Sequence, residues 1–150
     1  MKPTDHGHEH VTTSDAVSDM LARDAFSRWL GIEVVTVHAG HCTLRMEVRD
    51  DMLNGFGVSH GGIVYSLADS AMAFACNAGP HVTVAVDNAI TYPAAIHVHD
   101  VLEAVAEEEA ASGRLAYYRA TIRNQHGTVV AIFRGTVYRT RRLHHPNPSQ

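Results

Sequence analysis

Lysine is almost missing from this sequence. Of the twelve basic residues eleven are arginine, and Lys2 is the exception. The formal net charge of -4 gives no general attraction to nucleic acid or to an anionic membrane. Arginine favours local, geometrically defined contacts with anions over a diffuse basic coat, although a codon preference would give the same count. The composition therefore predicts no nucleic-acid partner and no membrane partner.

Cysteine and long apolar runs are also scarce. Cys42 and Cys76 lie in apolar surroundings without CxxC spacing, which favours reduced, buried thiols over a disulfide or a zinc site. No apolar run approaches the roughly 18 residues that span a bilayer, and residues 1–13 have no apolar signal core. We expect a soluble, cytoplasmic protein.

The chain length of 150 residues suits one domain, and the 45% of hydrophobic residues is enough to form its core. Residues 1–13 are polar and His-rich, and residues 143–150 contain two prolines. We expect both ends to be disordered. A single domain is then predicted over residues 14–142.

An amphipathic helix of about 14 residues is predicted near the N-terminus, where apolar residues recur with helical spacing. Thr13, Ser14 and Asp15 are typical of a helix start, and Gly31 is typical of a helix end. The most apolar segment is 63–78, in which Asp69 is the one charged side chain. A helix that is apolar on nearly every side must be buried.

Strand-like patterns account for the remaining apolar residues. They cover 32–38, 41–49, 82–92, 100–110, 114–124 and 128–140, with turns at Ala39-Gly40, Ser112-Gly113 and His126-Gly127. The predicted fold is α+β, with a curved antiparallel sheet of about six strands wrapped around the long central helix.

Gly61 and Gly62 lie at the start of the predicted central helix. The first N–H groups of a helix lack intrahelical partners, and the helix dipole is positive there. Because glycine has no Cβ, a ligand can approach this backbone closely. Such a site suits a phosphate, or a carbonyl oxygen that becomes negative during acyl transfer.

Asp69 follows Gly61 by eight residues, which is about 12 Å along a helix axis. The residues one turn away offer little to satisfy a charge, so we expect a raised pKa and a bound water or substrate, as for a catalytic base. The alternative is that Asp69 bonds Ser66 or Ser70, or caps a neighbouring element. If Gly61 and Asp69 act on one carbonyl, the distance requires a two-fold dimer in which they come from different subunits.

One extended pattern joins these residues. It reads Asn54-x-x-Gly57-x-x-His60-Gly61-Gly62, followed by Leu67-Ala68-Asp69. It resembles the signature of hot-dog-fold thioesterases, specifically the PaaI-like group associated with phenylacetic acid degradation. A weaker match, Val86-Asp87-x-x-Ile90-Thr91-Tyr92, stands where that family has its next strand, and the resemblance extends over about residues 21–139.

The resemblance implies a fold, an assembly and an activity. In that family an antiparallel sheet wraps around one helix, dimers join their sheets edge to edge, and dimers pair into homotetramers. Its members hydrolyse acyl-CoA, and the PaaI-like group prefers aryl or arylacetyl thioesters such as hydroxyphenylacetyl-CoA. Coenzyme A is part of the substrate, so no separate cofactor is expected.

The resemblance also assigns roles to individual residues. Asp69 matches the nucleophile or general base, and the Gly61 N–H matches the group that polarises the thioester carbonyl. Asn54 matches the residue that holds the attacking water or orients the thioester. His60 matches the motif histidine, a catalytic-site candidate whose role is either mainly structural or a direct contact with the thioester. Further substrate-binding candidates are Gly62, Tyr65, Ser66, Met72 and Phe56. Residues such as Phe56, Tyr65 and Met72 could line an acyl pocket, although such side chains more often belong to the core.

Two departures from the family pattern concern binding. The segment Pro93-Ala94-Ala95-Ile96-His97 lacks the basic residue that many relatives have there, which leaves the contacts to the CoA phosphates open. Ala85 stands where some relatives have a hydroxyl. The basic segment 139–142 could meet phosphates or could simply be a solvated end.

Other functions fit parts of the pattern. The domain could bind and sense acyl-CoA without turnover, serve as a broad-specificity housekeeping thioesterase, or act as a hydratase on the same fold. Twelve histidines suggest metal binding, but the His6, His8 and His10 tract and the pairs at His97 and His99 and at 144–145 lack converging ligands. We therefore predict no metal site.

Overall fold

The computed structural model describes residues 14–145. The predicted disorder of residues 1–13 and 146–150, and the first histidine tract, lie outside this range. The elements are α1 (Asp15–Arg23), α2 (Ala25–Leu30), β1 (Glu33–His38), β2 (His41–Glu47), a short 3-10 turn (Asp50–Met52), α3 (Gly61–Asn77), β3 (His81–Thr91), β4 (Val101–Ser112), β5 (Leu115–Arg123) and β6 (Val129–Leu143).

The six strands form one antiparallel sheet in the order β1-β2-β4-β5-β6-β3. Three of its hairpin turns contain a glycine with a positive φ, at Gly40, Gly113 and Gly127, as the sequence predicts. Strand β3 follows α3 in the chain but pairs with β6, and it forms one edge of the sheet. The predicted hot-dog architecture of a curved sheet and a central helix is confirmed.

Helix α3 supplies the centre of the core and packs against β2, β3, β4, β5 and β6. Its buried apolar side chains include three alanines among larger residues, so that the sheet can approach the helix backbone at the alanines. The buried apolar side chains are Ile63, Val64, Leu67, Ala68, Ala71, Met72, Phe74 and Ala75. Full burial of one such large apolar side chain contributes about 1.5–3 kcal/mol. None of the helices within residues 14–145 has both the length and the hydropathy needed to cross a membrane.

The N-terminal helix is not continuous, and here the prediction of one helix was wrong. Ser14 caps α1 by accepting from the Val17 N–H, but α1 ends before Asp24. The Asp24 carboxylate accepts from the Ser27 N–H at 2.9 Å and from the Ser27 hydroxyl at 2.6 Å, which begins a second helix. Aspartate prefers such caps to a helix interior. Gly31 ends α2 in the left-handed conformation, as expected.

The end of the domain lies slightly beyond the predicted boundary at residue 142. Strand β6 includes Leu143, and the His144 N–H donates to the Pro80 carbonyl at 3.0 Å. The His144 Nε2 atom lies 3.0 Å from the Asn77 side-chain oxygen, and the Asn77 amide also bonds both backbone groups of Thr83. These contacts join the end of α3 to β3 and to the end of β6.

Gly135 of β6 lies against the face of α3. A Cβ built at this position would overlap the Met72 sulfur and lie 2.8 Å from the Asn88 side-chain oxygen. We expect Gly135→Ala to destabilise the fold by about 1–3 kcal/mol, because an inserted methyl group has no space. The urea midpoint at fixed protein concentration measures the effect. Gly79→Ala is the matched control, since a Cβ there meets nothing within 4 Å; equal midpoints for the two variants would contradict the prediction.

Candidate active site

Asp69 lies near the middle of α3 and is half-buried. The amide nitrogen of Asn88, on β3, donates to Asp69 Oδ1 at 3.2 Å and to the Tyr65 hydroxyl at 3.0 Å. Tyr65 and Asp69 are four residues apart, so they occupy the same face of α3 on successive turns. The structure thus groups a carboxylate, a phenol and an amide where α3 meets the edge strand.

Neither serine proposed as an alternative partner binds Asp69. The Ser66 hydroxyl donates to the Gly62 carbonyl at 2.6 Å, within its own helix. The Ser70 hydroxyl lies 3.0 Å from the Ser27 hydroxyl and so links α3 to α2. Within the described chain, Asp69 Oδ2 has no hydrogen-bond partner, which leaves this oxygen available for a water or a substrate.

The pKa of Asp69 is raised above its usual value. The largest cause is burial, which disfavours the ionised form. The hydrogen bond from Asn88 lowers the pKa, and the nearby Asp24 carboxylate raises it further. This direction agrees with the expectation for a carboxylate in an apolar helix.

The start of α3 is capped by His60. Its Nδ1 atom accepts from the Gly62 N–H at 2.9 Å, so this N–H is already bound within the chain. The Gly61 N–H occupies the first helical position, where no intrahelical acceptor exists. The Gly61 carbonyl accepts from the Tyr92 hydroxyl at 2.7 Å. Of the two glycines, Gly61 therefore has the N–H that is available to a ligand.

Asn54 shapes the loop that leads to this helix. Its side-chain oxygen accepts from the Phe56 N–H at 2.9 Å and from the Val58 N–H at 3.4 Å. This leaves the amide N–H groups of Asn54 as donors for a further contact. Phe56 lies at the tip of the loop, and 94% of its surface is exposed.

The remaining predicted substrate-binding residues lie in different surroundings. The Tyr65 ring packs edge to face on Phe133, with ring centroids 5.5 Å apart. Met72 is buried in the core beside Gly135. Of the predicted binding residues, Tyr65 contacts the Asp69 cluster, Gly62 and Ser66 bond within the start of α3, Met72 faces the core and Phe56 faces solvent.

The cysteines are not suited to nucleophilic catalysis. Burial raises the pKa of Cys42 to about 12, and burial, as the largest cause, raises that of Cys76 to about 12. A thiol with so high a pKa is almost entirely protonated at neutral pH. Over residues 14–145, no three His, Cys, Asp or Glu side chains converge as ligands for a metal ion.

Comparison with known proteins identifies the family of this chain. The family model described as the thioesterase superfamily matches residues 56–131, which include the start of α3 and Asp69. The chain belongs to the thioesterase superfamily. The Escherichia coli acyl-coenzyme A thioesterase PaaI is 35% identical to it over 120 residues, which are 80% of this chain and 86% of the relative.

Solved thioesterase-superfamily structures share the fold. The structure of the E. coli PaaI protein from the phenylacetic acid degradation operon has a TM-score of 0.81 at 32% identity, and the match covers 86% of this chain and 96% of that one. A hypothetical thioesterase from Streptococcus pneumoniae, solved with coenzyme A, has a TM-score of 0.70 at 25% identity and covers 73% and 88%. Together with the family match, these similarities identify a PaaI-like hot-dog thioesterase.

Two residues that contact the candidate site were given no role by the sequence analysis. Asn88 occupies an unspecified position of the strand motif, and Tyr92 is quoted there without a role. Asn88 lies on β3 and Tyr92 directly follows this strand. Ile90 and Tyr92 come two and four residues after Asn88, so the alternation of a strand places them on the same face. A polar side chain on the face that also carries Ile90 is the signal that could have indicated Asn88.

Replacement of Asp69 should change stability with pH. The Asp69 pKa is higher in the folded state than in the unfolded state. The protonated carboxyl therefore contributes stability below the unfolded-state pKa, and this contribution is lost as pH rises through the folded-state pKa. Asp69→Asn should therefore be more stable than wild type at pH 7.5, and this gain should shrink as pH falls to the usual aspartate pKa of about 4. Urea unfolding at both pH values measures it.

Asp50→Asn is the control, because Asp50 is an exposed carboxylate outside the cluster. It should show no comparable gain at pH 7.5. If the stability gain of Asp69→Asn over wild type is smaller at pH 7.5 than at pH 4, the direction assigned to the Asp69 pKa is wrong.

Proposed function

We propose that this thioester hydrolase converts acyl-CoA to a free acid and coenzyme A, with Asp69 as its catalytic carboxylate. The observation that carries the proposal is the position of Asp69, half-buried on α3, with Oδ1 fixed by Asn88 and Oδ2 available. The Gly61 N–H is the second element, a backbone donor without an intrahelical acceptor. No metal and no organic cofactor is required.

Hydrolysis can follow a general-base route or a nucleophilic route, and both require the Gly61 N–H. The Gly61 N–H binds the carbonyl oxygen as it becomes negative, and one such donor contributes about 3–4 kcal/mol to the transition state. Asp69 either takes a proton from a water that attacks the carbonyl carbon, or attacks this carbon itself to give an anhydride that water then hydrolyses. In both routes the C–S bond breaks and the CoA sulfur receives a proton.

The Asn54 and His60 side chains support this step. Asn54 keeps its amide N–H groups free while its oxygen holds the loop, so it can bind the attacking water or the thioester oxygen. His60 fixes the first turn of α3 through Gly62 and thereby orients the neighbouring Gly61 N–H. Because Gly62 is occupied in this way, we assign it to positioning and Gly61 to contact with the substrate.

The active site is proposed to be shared between two subunits. Gly61 and Asp69 are about 12 Å apart along one helix, which is too far for both to act on one carbonyl. Strand β3 is an edge strand beside the site, and Val84 and Val86 on it are 46% and 57% exposed. An exposed apolar edge suits pairing with a second copy. We propose a homodimer joined at β3, with dimers that assemble into a homotetramer.

An aryl or arylacetyl group is the proposed acyl part of the substrate. Next to Asp69, the partly exposed Tyr65 ring is held edge to face on the buried Phe133, and a flat ring of the substrate can pack against Tyr65. The similarity to a PaaI protein from a phenylacetic acid degradation operon supports the same class. The coenzyme A in the similar S. pneumoniae structure supports CoA as the other part, and we place the reaction in the cytoplasm.

The direct test is CoA release, followed with a thiol reagent. Phenylacetyl-, hydroxyphenylacetyl- and benzoyl-CoA should turn over faster than a ladder of aliphatic acyl-CoAs. Asp69→Asn should lower kcat by about a hundredfold or more, because the general base or nucleophile is lost. Asp50→Asn should retain wild-type turnover.

The outcomes separate the possible functions. Equal turnover of all esters would favour a broad housekeeping hydrolase over an aryl-specific one. Binding of CoA esters without release by the wild type would contradict the enzymatic proposal and favour a sensor. Full activity of Asp69→Asn would remove this residue from the mechanism.

The shared site predicts complementation between two inactive variants. In Gly61→Ala the added Cβ lies 3.1 Å from the Tyr92 hydroxyl, so the helix start or Tyr92 must move by a few tenths of an ångström. We expect this shift of the Gly61 backbone to lower the activity. A mixed dimer of Gly61→Ala and Asp69→Asn subunits has one site with both lesions and one intact site.

Refolding an equal mixture of the two variants should therefore restore about a quarter of wild-type activity, since half of the dimers are mixed and half of their sites are intact. Each variant refolded alone is the control. If the mixture shows no more than the mean of the two variants, each site is formed within one subunit.

A further inference from the structure

The Asn88 side chain donates two hydrogen bonds, but its oxygen accepts none within residues 14–145. Its amide group donates to Asp69 Oδ1 at 3.2 Å and to the Tyr65 hydroxyl at 3.0 Å. Its own side-chain oxygen is buried and has no hydrogen-bond partner within residues 14–145. A buried acceptor without a partner is costly, so its presence beside Asp69 calls for a compensating interaction or a role in function.

The orientation of this amide is fixed by the Asp69 carboxylate. A 180° rotation would turn the Asn88 oxygen toward Asp69 Oδ1, so the bond to the carboxylate would be replaced by a contact between two acceptors, although the Tyr65 hydroxyl could then donate to this oxygen. The observed orientation keeps both bonds and leaves the Asn88 oxygen unpaired instead. The contact with Asp69 therefore outweighs the loss on the other side of the amide.

The surrounding sheet leaves space for this arrangement. Asn88 is paired in register with Gly135 of β6, and a Cβ at Gly135 would lie 2.8 Å from the Asn88 oxygen. The absence of a side chain at Gly135 thus lets Asn88 reach α3 from the neighbouring strand. A donor on the rigid sheet then restrains a carboxylate on the helix.

We propose that Asn88 is a positioning residue for the reaction, which binds one oxygen of Asp69 so that the other faces the thioester. This inference rests on the proposed catalytic role of Asp69. The amide also favours the ionised carboxylate, which burial and the Asp24 carboxylate disfavour. Tyr65 accepts the second bond of the amide, so it keeps Asn88 in place and retains its own hydroxyl proton for a further contact.

Other titratable groups lie around the carboxylate. On α3 these are Tyr65, one turn before Asp69, and Cys76, whose pKa the Asp69 charge helps to raise. Asp24 acts from the start of α2, and Tyr92, after β3, couples to Tyr65. None of these groups donates a hydrogen bond to Asp69 within the described chain, so removal of Asn88 should leave the carboxylate without its donor.

The test replaces the amide by side chains of similar size. Asn88→Leu removes the donor, and Asn88→Asp places a second carboxylate beside Asp69. For the ester that wild type hydrolyses fastest, we expect kcat to fall about ten- to a hundredfold in Asn88→Leu, as for a misplaced reacting group, and further in Asn88→Asp. KM should change little, because the amide does not bind the substrate.

The pH profile distinguishes positioning from a purely structural role. Loss of a hydrogen bond to the ionised form raises the Asp69 pKa, so the acid limb of kcat/KM should move to higher pH in Asn88→Leu. Tyr65→Phe keeps the bond to Asp69 and should shift this limb less. Thr91→Val, an exposed change on the same strand, should leave the profile unchanged.

A direct titration keeps the result independent of activity. Carbon-13 NMR of aspartate-labelled protein, with Asp69→Asn to assign the signal, reports the Asp69 pKa in wild type and in Asn88→Leu. If wild type hydrolyses no ester, the proposed function fails, whereas a rise of this pKa in the variant still supports the inference. If Asn88→Leu does not fold, Asn88→Ser replaces it. An unchanged kcat together with an unchanged Asp69 titration would overturn the proposal.

Discussion

Burial of α3 is the constraint on which the rest of this structure depends. A helix with apolar residues on almost every side cannot remain in water, and a single layer of sheet can cover it only by curving around it. All six strands of the sheet contact the helix, and small residues such as Ala68 and Ala71 permit the close approach. The site follows from the same constraint, since Asp69 is drawn into a half-buried position by the helix that carries it.

Much of the fold was predictable because it depends on local chemistry. The apolar run indicated α3, the alternating patterns indicated the six strands, and the glycines at Gly40, Gly113 and Gly127 marked the turns. The N-terminal helix was not predicted correctly, because the break between α1 and α2 depends on the hydrogen bonds of one side chain. Asp24 satisfies two groups of Ser27, and an apolar pattern does not report such a contact.

The candidate site was predictable only in part. Asp69 and Gly61 stand out, as a charge in an apolar segment and as a glycine at a helix start. Asn88 does not stand out, since its importance arises from the pairing of β3 with β6, which brings residues far apart in the chain into one cluster. Met72 was predicted to bind substrate from its place on the helix, but its side chain is buried in the core. It fills the space that the missing side chain of Gly135 leaves.

The pairing of β3 with β6 also has a consequence for biosynthesis. β6 is the last of the six strands to leave the ribosome, whereas α3 and β3 are made in the middle of the chain. Until β6 arrives, one side of α3 has no cover, and β3 has no neighbour on the side that it will use in the sheet. Closure of such long-range pairs is slow, and the apolar helix stays exposed meanwhile. The domain therefore depends on its final strand to protect a nascent chain from aggregation, and a truncation within β6 would leave α3 and β3 without a stable partner.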